Sequence, residues 1–498
     1  MIEKLRQRIL DFINSDKDTP ILAGLAVGFY LVLFYYSRNF ALANSLVQFL
    51  FFTAYYVLVP VIVLYGGYKL LPLFKMESYR KNYLFVVMPI LFFYYIFELI
   101  ALPFTEKGTL VAIMLVSWFV SKKYRKYYKL FIVLLFFLSV FNLPPILEAA
   151  FTKRSTQWQK QPDNIEQVTF KKKPNIYYIQ PDGYTNPVNL TDSIHNFDNS
   201  SFWGYLNSSG FTVYPAQRSN YYSTLLSNSA TFSMKHHYCA SDIEEYSARE
   251  IIVGGNAVLR TLKHNDYKTH FITEKPYLLM NRPDLGYDFC NVPYEQLPLL
   301  KDGWSQNYNV IENLKQQMQN ISQGGNFFFV EKFTPGHISV YKNLFDNELE
   351  KEIDIERTRY LNSIKDANVW LEELIGYITK NDPNGIIIIN ADHGGFAGFA
   401  YSLQSQYKTN NKLKKNSMFG TLLAIKWNDD NAKQFDRNLK TNVNLFRVVF
   451  SYLSQDKALL NNLQEDASYV HLKEPQGIYI YIDAEGKHVF EKMENVQD

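Results

Sequence analysis

Apolar side chains are spread unevenly along the 498 residues of this chain. Residues 1–150 are rich in Leu, Phe, Tyr, Ile and Val, whereas residues 151–498 read as an ordinary water-soluble chain. Five apolar segments stand out in the first part, at about residues 20–36, 46–66, 83–103, 108–121 and 128–147. Most of them approach the ~20 residues that a helix needs to cross a bilayer, and the fourth is the shortest. The pattern predicts a transmembrane domain of five helices over residues 1–150.

Basic residues are grouped in alternate loops between these segments. They cluster before the first segment, after the second and after the fourth, and only Arg38 and Lys107 occupy the other two loops. Lysine and arginine collect on the cytoplasmic side of membrane proteins. The pattern therefore places the N-terminus in the cytoplasm and the large C-terminal part outside it. About 19 mostly polar residues precede the first segment, which argues against a cleavable signal peptide.

The second part of the chain alternates between strand-like and helix-like patterns. Residues 151–174 are polar and lysine-rich, and we expect a linker there before a domain over residues 175–498. Strands are predicted at residues 175–180, 211–214, 268–273, 326–331, 385–390 and 418–427, with a terminal hairpin around residues 478–486. Helices are predicted at residues 200–210, 224–234, 348–380 and 442–455. This alternation predicts an α/β domain with a mainly parallel sheet, helices on both faces, and a ligand site beyond the strands' C-terminal ends.

The most informative stretch is an apolar run that ends in an acid, an imidazole and two glycines. Four isoleucines, Asn390 and Ala391 lead into Asp392, His393 and a Gly-Gly pair. An Asp-His pair at the end of a strand can bring a carboxylate and a nitrogen to one metal ion. The alternative is a strand that ends in a polar turn. Asp182 follows another predicted strand, so both acids should lie at the same edge of the sheet.

A nucleophile for metal-assisted transfer is offered by Thr224, at the start of a predicted helix. A helix N-terminus favours bound anions, and a nearby divalent cation lowers the pKa of a hydroxyl group. Thr224 would then react as an alkoxide-like nucleophile. The alternative is that Thr224 only caps the helix.

Four motifs in order carry a resemblance to a known family. They are Pro181-Asp182-Gly183-Tyr184, Ser219-Asn220-Tyr221-x-x-Thr224-x-x-Ser227, Thr334-Pro335-Gly336-His337 and Ala391-Asp392-His393-Gly394. Together, over about residues 175–460, the chain resembles the sulfatase-like branch of the alkaline phosphatase superfamily. With the preceding spans it is similar to membrane-anchored lipoteichoic acid synthases and phosphoethanolamine transferases. The resemblance implies the superfamily's α/β sandwich and a multi-pass protein of a bacterial cytoplasmic (inner) membrane.

The resemblance also implies a set of site residues. Asp182, Asp392 and His393 become ligands of one divalent metal ion, with zinc or manganese favoured and magnesium as the alternative. Thr224 becomes both a ligand and the nucleophile, through a phospho-threonine intermediate, and His337 contacts the substrate. The expected reaction moves a phospholipid headgroup, of the phosphoethanolamine or phosphoglycerol type, onto an envelope glycan or lipid. We expect no nucleic-acid partner, and the oligomeric state is left open.

Departures from the family pattern keep other functions open. Relatives often carry His-x4-His-Pro-Pro, whereas here Lys332 replaces the first histidine and Ile338-Ser339 replace the prolines. Relatives often have an arginine shortly after Asp-His-Gly, and here Phe396 to Phe399 follow. The alternatives are a membrane-anchored phosphodiesterase or phosphatase, and a non-catalytic envelope binding protein with the same fold.

The cysteines and the remaining histidines bear on the chemistry and on the fold. Neither Cys239 nor Cys290 lies in the C/S-x-P-x-R motif from which sulfatases make formylglycine, so phosphoryl transfer is favoured over sulfate-ester hydrolysis. Two cysteines in an exported domain predict a Cys239–Cys290 disulfide, with free buried thiols as the alternative. His236 and His237 are interpreted as surface or structural residues, and the alternative is that they line the substrate groove.

Overall fold

The protein is described by a computed structural model that covers residues 2–100, 106–151, 156–238, 247–299, 303–320 and 324–493. The chain divides into two compact units, Met1–Arg154 and Ser155–Asp498. The second unit therefore includes most of the segment predicted as a linker. Ile165 and Phe170 of that segment are buried in the core of the second unit, because their side chains pack beneath its sheet.

The first unit consists of helices. Its α-helices are α1 (Ile2–Asn14), α2 (Pro20–Asn39), α3 (Leu46–Thr53), α4 (Val59–Val61), α5 (Gly67–Leu70), α6 (Glu77–Leu99), α7 (Glu106–Tyr124) and α8 (Tyr128–Phe151). Two π-helical stretches, Ala54–Leu58 and Ile62–Gly66, join α3, α4 and α5 into one continuous helical segment. Gly24 and Gly28 of α2 let the backbone of this segment approach closely, since a Cβ on Gly24 would lie 2.5 Å from the Cα atom of Val61.

Four helical stretches among the described residues are long and apolar enough to cross a membrane, compared with the five spans predicted. They are Pro20–Leu42, Leu46–Leu70, Glu77–Leu99 and Gly108–Phe151. The fourth stretch has 44 residues and contains both the fourth and the fifth predicted span, which a 3-10 turn at Arg125–Tyr127 separates.

The direction of α8 relative to α2 bears on whether the 44-residue stretch contains one span or two. At one end, the backbone N–H of Thr19 donates to Tyr128 Oη over 2.9 Å, and at the other, Ser37 Oγ donates to Asn142 Oδ1 over 3.2 Å. These contacts join the starts of α2 and α8 and also their later parts, so the two helices run in the same direction. Successive spans cross a membrane in alternate directions. A first and a fifth span therefore run in the same direction, as α2 and α8 do, whereas a first and a fourth span run in opposite directions.

In the described part of the second unit, seven strands form one sheet in the order β2-β7-β6-β1-β5-β3-β4. The strands are β1 (Ile176–Pro181), β2 (Thr212–Val213), β3 (Lys268–Thr273), β4 (Phe289–Cys290), β5 (Asn326–Lys332), β6 (Ile386–Asn390) and β7 (Leu423–Lys426). Strands β6, β1, β5, β3 and β4 are parallel, and β7 and β2 are antiparallel to their neighbours. The prediction of a mainly parallel sheet is confirmed, and the antiparallel edge was not foreseen.

Helices cover both faces of this sheet, as predicted. The α-helices of the second unit whose bounds the structure describes are α9 (Pro187–Leu190), α10 (Ser200–Ser208), α11 (Thr224–Ser233), α12 (Ala257–His264), α13 (Val310–Gln319), α14 (Leu349–Asn381), α15 (Lys412–Phe419) and α16 (Leu445–Ser454). A π-helix, Glu250–Gly254, precedes α12. Helices α11, α12 and α16 pack on the face that carries Tyr178, and α10, α13 and α14 pack on the face that carries Tyr177.

The C-terminal region differs from the prediction in one element. Residues 418–427 were predicted as one strand, but Met418 and Phe419 end α15 and only Leu423–Lys426 form β7. The prediction was wrong because both residues are buried, so their apolar character does not separate a helix from a strand. A separate sheet contains β8 (Ser468–Leu472), β9 (Gly477–Ile482) and β10 (His488–Lys492), and its last two strands form the predicted antiparallel hairpin.

Short 3-10 turns connect the larger elements of both units. Their bounds are Phe40–Leu42, Arg125–Tyr127, Gln157–Gln159, Ile165–Gln167, Pro276–Leu279, Tyr294–Gln296, Asp346–Glu348, Ser402–Gln406, Asp430–Gln434, Asn442–Asn444 and Lys457–Asn462.

Candidate metal and nucleophile site

Asp182 is placed at the C-terminal end of the central strand β1. It follows Pro181 directly, and its backbone N–H donates to the carbonyl of Lys332 at the end of β5 over 2.9 Å. The next residue, Gly183, has φ of +66°. A Cβ there would lie 2.4 Å from the carbonyl oxygen of Gly336, so only glycine lets the two loops meet.

Asp392 and His393 follow β6, which lies beside β1 in the sheet. Because the two strands are parallel, their C-terminal ends meet at one edge, and the backbone N–H of Gly183 donates to Asp392 Oδ1 over 3.2 Å. The chain then turns at Gly394, where a Cβ would lie 2.1 Å from the carbonyl oxygen of Ser417. Gly394 is therefore needed for close packing against α15.

Thr224 is the first residue of α11, and it does not cap the helix. The side chain of Ser223 is the N-cap, since Ser223 Oγ accepts from the backbone N–H of Leu226 over 3.4 Å. Thr224 Oγ1 instead faces the ends of β1 and β6. It donates to Asp182 Oδ1 over 3.4 Å and lies 3.2 Å from His393 Nε2. The alternative interpretation of Thr224 as a cap is not supported by this geometry.

The four polar side chains converge in the interior of the domain. His393 Nε2 lies 3.6 Å from Asp182 Oδ1 and 3.5 Å from Asp392 Oδ2. One ligand atom each from Asp182, Asp392 and His393 fall within 4.8 Å of one another, and all three residues are buried. Asp392 Oδ2 has no hydrogen-bond partner within the described part of the chain. The arrangement thus brings together oxygen and nitrogen acceptors that a cation would satisfy.

The hydrogen bond on the other side of the His393 ring supports a metal at this position. His393 Nδ1 lies 2.8 Å from the carbonyl oxygen of Gly394, which can only accept, so Nδ1 carries the proton. The lone pair is then on Nε2, the atom that faces both carboxylates and Thr224. Metal-ligating histidines usually donate their second N–H group in this way. The residues present therefore fit one divalent cation with Asp182, Asp392, His393 and Thr224 as its protein ligands.

Electrostatic repulsion within the group leads to the same conclusion. Burial and the neighbouring Asp392 carboxylate raise the pKa of Asp182 above its ordinary value. Two buried carboxylates without a cation between them each oppose the ionisation of the other. A bound divalent cation would remove this cost, because two carboxylates and a 2+ ion are together neutral.

His337 is brought to the same site by the loop that follows β5. Its ring centroid is 5.7 Å from that of His393 and 5.9 Å from that of Phe396. The backbone N–H groups of Gly336 and Ile338 donate to the carbonyls of Asp182 and Gly395, which attaches this loop to both metal-ligand loops. Burial and the neighbouring His393 lower the pKa of His337 to about 4, so the ring is neutral at neutral pH.

Three residues support the site and were not assigned a role from the sequence. Ser227 Oγ donates to the carbonyl of Asp392 over 2.6 Å, and Asn442 Nδ2 donates to the carbonyl of Ala391 over 2.9 Å. Tyr360 of α14 donates through Oη to the carbonyl of Gly183 over 2.8 Å. Ser227 lies in the threonine motif, which could have signalled it, whereas Asn442 and Tyr360 lie in segments that carry no recognisable motif.

Other residues singled out from the sequence lie away from this group or have structural partners. Lys332 pairs with Glu274 over 2.7 Å, where the family pattern has a histidine. Burial raises the pKa of the Cys290 thiol to about 11. Cys239 lies outside the described residues, so the disulfide between them stays a prediction. His236 and His237 are buried rather than on the surface, and both contact Tyr221.

Comparisons with known proteins can be set beside this geometry. No family model and no curated protein matches the sequence. Solved structures with a similar fold include the C-terminal periplasmic domain of EptC from Escherichia coli, at 12% identity and a TM-score of 0.40, covering 60% of this chain and 90% of that one. The integral membrane lipooligosaccharide phosphoethanolamine transferase A of Neisseria meningitidis has 11% identity and a TM-score of 0.37, covering 78% and 91%. The lipoteichoic acid synthase LtaP of Listeria monocytogenes has 12% identity and a TM-score of 0.40, covering 66% and 91%.

Proposed function

We propose that this protein is a metal-dependent transferase that moves a phospholipid headgroup through a phospho-threonine intermediate on Thr224. The observation that carries the proposal is the position of Thr224 Oγ1, 3.4 Å from Asp182 Oδ1 and 3.2 Å from His393 Nε2. A threonine hydroxyl is a weak nucleophile by itself, and here it lies inside a set of metal ligands. A structural role is not needed for it, since Ser223 already caps the helix.

The metal would be held by Asp182, Asp392, His393 and Thr224. Bound there, a divalent cation such as zinc or manganese would lower the pKa of the Thr224 hydroxyl and offset negative charge on the phosphate. The mixed nitrogen and oxygen ligands favour these ions over calcium, which takes oxygen ligands only.

In the first half-reaction, Thr224 Oγ1 attacks the phosphorus atom of the donor lipid. The Oγ1–P bond forms and the bond from phosphorus to the glycerol oxygen breaks. The proton that Thr224 gives up ends on that oxygen, and diacylglycerol leaves as the free alcohol. The phosphate on Thr224 then lies at the N-terminus of α11, where the helix dipole favours a negative group.

In the second half-reaction, a hydroxyl group of the acceptor attacks the same phosphorus atom. The P–Oγ1 bond breaks, and the acceptor's proton returns to Thr224, so the enzyme is regenerated. His337 is suited to orient this hydroxyl. Its Nδ1 atom lies 2.5 Å from the carbonyl of Ile338, which leaves Nε2 as an acceptor on the neutral ring.

The acceptor we propose is a glycan or lipid of the cell envelope, with the catalytic domain outside the cytoplasm of a bacterial cytoplasmic membrane. This follows from the alternating basic loops of the first unit and from the family resemblance of the motifs. The helical stretches that can cross a membrane would keep the enzyme in the bilayer that supplies its donor.

The test loads the full-length protein with a donor and locates the label. Purified protein with Mn²⁺ or Zn²⁺ is incubated with phosphatidylethanolamine or phosphatidylglycerol labelled in the headgroup, and the peptide that contains Thr224 is weighed by mass spectrometry. We expect one added phosphoethanolamine or phosphoglycerol group on Thr224, and none in Thr224→Ala. Label on another residue, or no label with either lipid, would overturn the proposal.

The fate of the label then separates transfer from hydrolysis. Loaded enzyme is chased with an extract of envelope glycans and lipids, and with buffer alone as the control. A transferase passes the label to a component of the extract and keeps most of it in buffer. Equal loss in both, with the label recovered as free phosphoethanolamine or glycerol phosphate, would identify a hydrolase.

A further inference from the structure

A second set of buried polar side chains lies beneath the metal-ligand group, on the face of the sheet that packs against α11. It consists of Gln180, Glu331 and Asn390 from three adjacent strands, Asn228 from α11 and Tyr287, and we refer to it as the inner polar layer. All five residues are buried, with Gln180, Asn228, Glu331 and Asn390 at 0% exposure.

The strand register places the three strand residues side by side. Gln180 of β1 is paired with Glu331 of β5, two residues beyond the pair formed by Tyr178 and Phe329. Tyr178 and Phe329 belong to the core cluster on the α11 face, and side chains two apart on a strand share a face. On the other side of β1, Asn390 Nδ2 donates to Tyr178 Oη over 3.1 Å. The three polar side chains therefore continue this apolar row towards the C-terminal edge.

Helix α11 packs over this row of strand side chains. Phe232 packs on Tyr178 and Phe329, with ring centroids 5.7 and 5.0 Å apart. Asn228 lies one helical turn before Phe232, about 6 Å nearer the N-terminus of α11 and therefore nearer Thr224. Two strand residues span a similar ~6.6 Å. Asn228 is therefore placed over Gln180 and Glu331, just as Phe232 lies over Tyr178 and Phe329.

The polar atoms of this layer lack partners to an unusual degree. Seven of them have no hydrogen-bond partner within the described part of the chain, although each is buried. They are both amide atoms of Gln180 and of Asn228, Oδ1 of Asn390, Oε1 of Glu331 and Oη of Tyr287. Native proteins pair nearly all buried polar groups with protein atoms, ordered water or a ligand. Five of the seven atoms are oxygens that a bound cation would satisfy, and the amide nitrogens of Gln180 and Asn228 would need acceptors beside it.

The charge of the Glu331 carboxylate indicates which kind of ligand this layer could bind. Glu331 Oε2 accepts from Thr273 Oγ1 over 2.9 Å, which leaves its charge without a cationic partner. The adjacent Lys332 is paired with Glu274, and a divalent ion in the main site is neutralised by Asp182 and Asp392. An ionised Glu331 would thus keep one uncompensated negative charge, and burial raises the pKa of its carboxyl group well above the ordinary value. A proton on Glu331 would cancel it but would serve a single acceptor, whereas a cation serves several oxygen atoms at once.

We propose that the inner polar layer binds one alkali-metal cation, Na⁺ or K⁺. Its ligands are the carboxylate of Glu331, the amide oxygens of Gln180, Asn228 and Asn390, and Oη of Tyr287. A monovalent ion matches the single carboxylate, and a divalent ion would leave a buried positive charge. The ion connects α11, which carries Thr224, to the three strands that lead towards the metal-ligand loops.

The test measures stability as the cation is exchanged. Full-length protein with excess Mn²⁺ is melted in KCl, in NaCl and in N-methyl-D-glucamine chloride of equal ionic strength. An ion that binds only the folded state raises the Tm, by roughly 5 °C at saturation. We expect this rise in the parent protein with at least one alkali ion, and its absence in Glu331→Gln. A parent protein whose Tm is the same in all three salts contradicts the proposal, as does a Glu331→Gln variant with an undiminished rise.

Glu356→Gln is the matched control for removing a buried carboxylate. Glu356 is also buried, but it is paired with Lys342 and Arg359 and bonded to Ser339. This variant should lose stability in every salt and keep the alkali-dependent rise in Tm.

A crystallographic measurement does not depend on the folding of a variant. Crystals of the parent protein are soaked in Tl⁺, which substitutes for K⁺ and scatters anomalously. We expect a peak between Glu331, Asn228 and Gln180. A soak that leaves this position without a peak, together with a Tm indifferent to alkali ions, identifies Glu331 as a protonated carboxyl group and rejects the ion.

Discussion

His393, on one side, and the pair His236 and His237, on the other, are buried near the first turn of helix α11, and their nitrogen atoms are used differently. His393 Nε2 faces Thr224, the first residue of α11. His236 and His237 follow the helix in sequence but turn back, so that His237 Nε2 contacts the carbonyl of Leu226 in its first turn. His393 is 2% exposed and His236 is 3% exposed, so burial does not distinguish them. What differs is the chemistry that each ring faces.

His236 is held by a complete set of ordinary hydrogen bonds. Its Nδ1 lies 3.2 Å from Tyr221 Oη and its Nε2 lies 2.8 Å from the carbonyl of Glu465. His237 stacks on Tyr221 with ring centroids 4.1 Å apart and contacts the carbonyl of Leu226 through Nε2. These contacts join the segment that follows α11 to Tyr221, to the first turn of the helix and to Glu465 in the C-terminal part of the domain, and they support the structural interpretation of both histidines.

His393 satisfies one nitrogen and directs the other at two carboxylates and a hydroxyl group. A buried ring that faces three further acceptors is costly unless a cation joins them. The comparison teaches that the partner of the second nitrogen, rather than burial, separates a metal-ligating histidine from a structural one. The following substitutions test this contrast between the histidines, in order from the strongest expected effect to the weakest.

Replacement of Thr224, the first residue of α11, by alanine should abolish transfer. Loss of the nucleophile removes the covalent route, and we expect the rate to fall by at least about 10³-fold. Thr224→Ser keeps a hydroxyl group and should retain measurable activity. The rate is followed with headgroup-labelled lipid, and comparable rates in the alanine variant and the parent would contradict a nucleophilic role.

Replacement of His393 and replacement of His236 should have different effects on metal affinity. His393→Ala removes a ligand, and we expect Mn²⁺ or Zn²⁺ to bind at least about 100-fold more weakly. His236→Ala should bind metal as the parent does but lose about 1–3 kcal/mol of unfolding free energy, because two buried hydrogen bonds are lost. Calorimetric titration and chemical denaturation measure the two quantities. Equal metal affinity in both variants would contradict the distinction between His393 as a metal ligand and His236 as a structural residue.

The dependence of stability on pH should report the buried neutral ring of His236. Burial lowers the pKa of His236 to about 4, whereas a histidine in the unfolded chain titrates near the ordinary pKa of 6.5. The unfolded state therefore binds more protons between these values, so stability falls as the pH is lowered from 6.5 towards 4. The contribution is roughly 3 kcal/mol at most. His236→Gln should flatten this slope relative to the parent, and an identical slope in both would show that His236 is not held neutral.

Ser223→Ala should have the smallest effect at the N-terminal end. Loss of the N-cap costs about 1 kcal/mol of unfolding free energy, while Thr224 keeps its chemistry. Denaturation gives the first quantity and the transfer assay gives the second. A loss of activity as large as that of Thr224→Ala would show that the two neighbouring hydroxyl groups do not have separate roles.

Much of the second unit follows from its sequence pattern. The predicted strand at 385–390 is found as Ile386–Asn390, and the predicted helix at 348–380 as Leu349–Asn381. These elements have long apolar runs or clear helical periodicity, which local side-chain pattern is enough to specify. The error at residues 418–427 arose where a short helix and a strand are both buried and therefore equally apolar.

The candidate site was predictable in its members but not in its geometry. Asp182, Thr224, Asp392 and His393 stand out because short motifs surround them. That Ser223 rather than Thr224 caps α11 depends on the rotation of the helix over the sheet, which no local pattern specifies. Glu331 gave no signal, because one acid at the end of an apolar strand is equally compatible with a solvent-exposed edge.

The sequence by itself determined the division into an apolar and a water-soluble part, most strands and helices, and the residue types available for metal-assisted transfer. These properties depend on contacts near in the chain and on the periodicity of side chains. Only the tertiary structure decided that Asp182 and Asp392 lie together at the proposed cation site, because parallel pairing of β1 and β6 joins residues 210 positions apart. It also decided that Phe232 packs on Tyr178 and Phe329, because those contacts depend on how α11 lies across the strands.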